Sequence, residues 1–136
     1  MASNPQFYDA TAEAAVNGET ALANGGFLEI YTGTQPALNA ALTGTKLAKL
    51  PLSATAFAAA TASAGTASAA ADAITSENAL ATGTAGYFAV LESDDSTVVA
   101  TGSVGTASAD LILSTLSLTS GASVSVSALT LSLPQT

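Results

Sequence analysis

Along the chain the spacing of apolar residues shifts once, from a helical to an alternating pattern. Over residues 6–23, Phe7, Ala10, Ala14, Ala21 and Leu22 fall broadly on one side of a helix. Asn4 is placed to cap it and Pro5 suits its first turn. Asp9 and Glu13 suit the positive end of the helix dipole. Gly18 weakens its middle, and Asn24-Gly25-Gly26 stops it. From residue 27 the period is two. FLEIY (27–31) puts Phe27, Glu29 and Tyr31 on one side and Leu28 and Ile30 on the other, taken as the core side. TGTQPA turns the chain at Gly33 and Pro36. KLAKLPLS (46–53) reads as a strand whose end Pro51 places at a sheet edge or bulge.

Residues 53–73 are built from Ala, Ser and Thr. Alanine favours helix, but interleaved Ser and Thr with Gly65 in the middle favour two small-residue strands or extended arms around a turn near Gly65. Residues 86–103 form the clearest hairpin. AGYFAVLE is apolar on both phases and therefore belongs in the middle of a sheet, covered on both faces. SDDS makes the turn and TVVATGS returns. In LILSTLSL, Leu111 and Leu113 share one phase, Leu116 and Leu118 the other. SVSVSALTLSL (123–133) flips phase in the same way, from Val124 and Val126 to Leu129 and Leu131. Each flip requires a bulge, a bend or cover on both faces, and Gly121 marks the turn between the two segments. The expected fold is mainly β, a small antiparallel β-sandwich or jelly-roll-like domain over residues 27–136, preceded by an N-terminal arm and α-helix over residues 1–26.

Composition narrows this picture. Val, Leu, Ile and Phe together make 30 of 136 residues, just above the range in which chains fail to build a core. Contacts with a partner would supplement so thin a core. The charge is -8, from 10 acidic residues against Lys46 and Lys49. Binding to nucleic acid needs a basic patch, and an anionic membrane would repel this chain, so neither is an expected partner. The opening MASNPQFYDATAEAAV has no basic segment followed by an apolar one, so no signal peptide is expected, and no apolar run is long enough to span a bilayer. The protein is expected to be made in the cytosol and to stay soluble there, or to leave it inside something larger.

The absence of Cys and His removes thiolate chemistry, the commonest general base and the commonest metal ligand. Asp94 and Asp95 are the only adjacent carboxylates; they suit a solvated turn better than a calcium site, because no further acidic ligands lie in register nearby. Asp72 with Glu77 makes no motif. No G-x-S-x-G is present, and neither Lys46 nor Lys49 lies in an S-x-x-K. TGTAG (82–86) and TGSVG (101–105) lack the lysine of a phosphate-binding loop and read as similar turns at two strand ends. The reading is a non-enzymatic protein with no catalytic, cofactor-binding or metal residue and no cofactor.

The order of segments carries a resemblance. An alanine-rich helix and Gly-Gly are followed by FLEIYTGTQPA, KLAKLPLS, AFAAATAS, ADAITSENALATGTAGYFAVLESDDSTVVATGSVG and SGASVSVSALTLSLPQT. This resembles a group of small virion proteins of tailed phages, over most of the chain. The resemblance implies a head decoration or minor structural protein, present in several copies, as a homo-oligomer such as a trimer, on the capsid exterior. Its partners would be the major capsid protein and itself, with the helix at residues 5–23, or the arm before it, as the natural clamp. A minor tail component is the near alternative. A carbohydrate-binding or adhesive module is the other, disfavoured by 3 Tyr and no Trp. On this reading the chargeless Ser/Thr face of residues 123–133 packs on a neighbour, since small neutral side chains desolvate cheaply and lose little entropy.

Overall fold

The computed structural model describes residues 8–64 and 66–133. Within them lie one helix, α1 (Asp9–Ala21), and the strands β1 (Phe27–Tyr31), β2 (Lys46–Pro51), β3 (Thr61–Ser63), β4 (Thr66–Ala70), β5 (Glu77–Asn78), β6 (Gly83–Thr84), β7 (Tyr87–Leu91), β8 (Val98–Gly105), β9 (Leu111–Leu113), β10 (Ser117–Leu118), β11 (Ser123–Val124) and β12 (Val126–Leu133). Eight of them form one sheet in the order β2-β1-β7-β8-β9-β12-β4-β3, and β10–β6 and β11–β5 make two short ribbons. The fold is mainly β, sandwich-like, with the helix at its N-terminal end.

The ladders are antiparallel except for one. β8 and β9 run parallel, pairing Val104 with Leu111 and Gly105 with Ile112. No long crossover is needed, because the end of β8 overlaps only the start of β9 and the chain sidesteps without reversing. Asp110 ties this step: its carboxylate accepts from the Ser103 N–H at 3.2 Å and the Ser103 hydroxyl at 3.1 Å. TGSVG lies inside β8, so it is strand and not the turn expected from its likeness to TGTAG.

Strand alternation builds the core. Leu28 and Ile30 of β1 pair with Leu50 and Ala48 of β2 and with Val90 and Phe88 of β7. In the other half of the sheet, Leu129 and Leu131 of β12 lie beside Leu111 of β9 and Ala69 of β4. All are buried and belong to one continuous cluster. The two phase flips resolve as expected: the chain bends between β9 and β10, and β12 carries a bulge between Val126 and Ala128. Gly121 holds φ +82 in the turn before β11, a conformation that side chains resist. The segment 53–73 forms the small-residue pair β3–β4. Pro51 ends the edge strand β2, where its missing N–H costs no ladder bond.

The helix departs from its expected face. α1 buries Ala12, Val16 and Thr20, four residues apart, whereas Ala10, Ala14, Ala21 and Leu22 are exposed. Alanines on both sides gave the pattern little contrast. Residues 4–7, to which the cap, the first-turn proline and Phe7 were assigned, lie outside the described residues; the helix is preceded by Tyr8, which makes no side-chain cap bond. Ala12 and Val16 join the same core cluster as Ala67 and Ala69, so the helix covers the inner face of β4 and its neighbours. That face of the helix is part of the fold's own packing.

Candidate functional site

Two features concentrate polarity unusually: a buried carboxylate behind β1, and an outer sheet face without any charge.

Glu29 sits in the middle of β1 on the side opposite Leu28 and Ile30, and is 1% exposed. The sequence placed it on the non-core side; both sides of β1 are in fact covered. Tyr31 and Tyr87 stack beside it, ring centroids 5.3 Å apart, and with Ala89 and Leu91 they form a second, smaller apolar cluster under Leu42. Tyr87 anchors the covering loop through its hydroxyl, which donates to the Thr43 carbonyl at 2.6 Å and accepts from the Thr43 N–H at 3.0 Å. A carboxylate in such surroundings must be fully bonded. Glu29 Oε1 accepts from the Tyr31 hydroxyl at 2.6 Å, and Oε2 from Lys46 Nζ at 3.0 Å. Burial, and then the bond to Glu29, push the Tyr31 hydroxyl well above its ordinary value.

Lys49, opposite Glu29 in the β1–β2 ladder, turns to Asp95, with Nζ 2.5 Å from Oδ2 and 4.3 Å from the centre of the Phe27 ring. The chain's two basic side chains are therefore both engaged in internal ion pairs with carboxylates, and neither is paired with a serine. The adjacent acids of the β7–β8 turn part company. Asp94 accepts from the N–H groups of Ser96 and Thr97 and from the Thr97 hydroxyl, which holds its carboxyl well below the usual range. Asp95, at φ +58, points back to Lys49, whose ammonium lowers its carboxyl too. Asp72 and Glu77 are both exposed. Among the described residues no group of three or more acids gathers as metal ligands.

The outer face of the half-sheet β9–β12–β4–β3 is the second feature. Opposite the buried leucines and alanines, β12 presents Ala128, Thr130 and Ser132, and β4 presents Thr66, Ser68 and Ala70. Ile112 of β9 and Thr61 and Ser63 of β3 extend this face on either side. None carries a charge. The lateral edge of β3, by contrast, is covered: the Ala60 N–H donates to Asn17 Oδ1 at 2.8 Å and the Ala62 N–H to Glu13 Oε1 at 3.2 Å, both from α1. An open edge invites strand addition; here helix side chains occupy its donors, and the flat face remains.

An open groove of about 220 Å³ between the 36–42 loop and β8, lined in part by Pro36, Leu38, Leu42 and Val98, contains no titratable side chain. Among the described residues no helix is long and apolar enough to cross a membrane. Comparisons with protein-family models, with curated proteins and with solved structures find no match.

Proposed function

We propose that this chain is a non-enzymatic structural protein that decorates the outside of a phage head, docking through the outer face of β9–β12–β4–β3. The observation that carries the reading is that four adjacent strands present a face of Ala, Ser, Thr and Ile without one charge, in a chain of net charge -8. Asp72 borders this face beside Ala128, and both lysines pair with carboxylates away from it. A neutral strand face loses little on desolvation. Acidity also suits the outside of a shell better than its DNA-facing inside. The resemblance to small tailed-phage virion proteins supports the same reading.

The test is loading of the purified protein onto capsids of the phage that encodes it. Wild type should bind at a fixed stoichiometry. Thr130→Lys, at a half-buried position on this face, should shift the melting temperature of the isolated chain only slightly, a cost of about 1 kcal/mol or less, yet fail to load, since a lysine in a close contact must be desolvated. Absence of wild-type protein from capsids, or full loading by Thr130→Lys, overturns the assignment.

A further inference from the structure

We propose that Lys49 and Asp95 become joined by an intramolecular amide bond, with Glu29 as the group that carries the proton. The reacting groups are already in contact: Lys49 Nζ lies 2.5 Å from Asp95 Oδ2, one bond from the carboxyl carbon it would attack. Three elements hold them there. The β1–β2 register sets Lys49 directly across from Glu29, the Phe27 ring lies 4.3 Å from the ammonium, and the left-handed backbone at Asp95 aims its carboxyl back over the sheet. Holding nucleophile and electrophile in contact removes most of the entropic barrier to their reaction.

The environment supplies the rest. Asp95 Oδ1 is buried, and no N–H or hydroxyl donates to it. Glu29, the acid directly across from Lys49 in the ladder, is itself 1% exposed. A carboxyl so placed can carry the proton that the chemistry requires. Lys49 gives up a proton to become a neutral amine, and Asp95 takes one up to become a neutral acid. The Nζ lone pair adds to Asp95 Cγ. Glu29 accepts the second proton from nitrogen and delivers it to the departing oxygen. One N–C bond forms, one C–O bond breaks and one water leaves; nothing is oxidised or reduced. One positive and one negative charge disappear together, so net charge is unchanged. Tyr31 and Lys46 fix the Glu29 carboxyl by its two oxygens and so act as positioning residues. The product ties β2 to the β7–β8 turn across 46 residues of chain.

Mass spectrometry of the purified, denatured chain reads this directly. Wild type should be lighter by one water than its sequence requires, and a proteolytic digest should yield one branched peptide linking Lys49 to Asp95. Asp95→Asn should lose ammonia instead of water, because the leaving group changes. Lys49→Arg keeps the ion pair and lacks the amine, so it should fold and show full mass. Glu29→Gln should also show full mass. Folded wild type at full mass overturns the proposal, as does a link between Lys46 and Glu29. If Glu29→Gln still loses water, the proton-carrying role falls.

Discussion

Lys46 and Lys49, three residues apart on β2, reach the same side of the sheet. An unbroken strand would send them to opposite sides. The ladder resolves this: Lys49 pairs with Glu29 and Lys46 with Tyr31, while Leu47 is the extra residue where the register shifts between Ile30 and Tyr31. The bulge brings both cations onto the side where Glu29 is buried. Replacing Lys46 with Met would leave Glu29 Oε2 buried without its cation. Full burial of both partners would make that cost about 3–5 kcal/mol, but Lys46 is 36% exposed and water takes up part of the loss, so about 2 kcal/mol is expected. Urea unfolding checks this, and Glu29→Gln in the Lys46→Met background should recover part of the loss. A Lys46→Met chain as stable as wild type would show that the pair contributes nothing.

Acid and alkali should each weaken the fold, through different residues. Asp94 is held below its ordinary value by bonds from Ser96 and Thr97. A lowered acid adds stability that is present above pH 3.8 and is lost as pH falls through its folded value. Tyr31 is raised above 10.0, so its contribution is complete below pH 10.0 and is lost as pH rises beyond it. Glu19, raised by burial, opposes the acid loss. Asp95 leaves the titration once its carboxyl is an amide. Urea midpoints across the pH range should decline at both ends, and Tyr31→Phe should flatten the alkaline one.

Removing residues 1–24 should not leave an intact β-domain. The helix supplies Ala12 and Val16 to the shared core and the acceptors that occupy the edge of β3. The truncated chain is expected to lose its cooperative melt and to aggregate through the uncovered edge. A milder probe is Val16→Ala at a site 1% exposed, with an expected cost of about 1–2 kcal/mol. A sharp wild-type melt in the truncated chain would show that the helix is dispensable.

Gly102→Ala tests the close contact inside β8. A Cβ there would sit 2.6 Å from Phe88 Cε1 and 2.9 Å from Asp110 Oδ2. Phe88 is fully buried and has little room to move, so a loss of about 1–3 kcal/mol is expected. Gly18→Ala, in open space on the helix, should instead stabilise by about 1 kcal/mol. Thermal melts of the two variants should move in opposite directions.

What was legible in the sequence was whatever alternates cleanly. FLEIY, AGYFAVLE and the two phase flips near the C-terminal end foretold β1, the covered β7 and the irregularities of β9 to β12. Two kinds of information were hidden. One was pairing: nothing local says that β12 lies between β9 and β4, or that β8 sidesteps into a parallel partner. The other was the bulge at Leu47. Without it, Lys46 and Lys49 look like residues of opposite faces, and Glu29 looks like a strand's wet side. Two lysines as the only cations of the chain, opposite the one acid of β1, were the available hint. The helix face was misplaced because alanine marks neither inside nor outside.

The place of β12 in the sheet also sets a schedule. The strand lies between β9 and β4, yet it is synthesised after both of them. β4 is made about sixty residues earlier and has only the short β3 beside it until β12 arrives. Contacts so distant in sequence close slowly. The neutral face of this half-sheet therefore does not exist on the ribosome until residue 133 has emerged. A nascent chain cannot present this face early: it forms only once synthesis has passed β12.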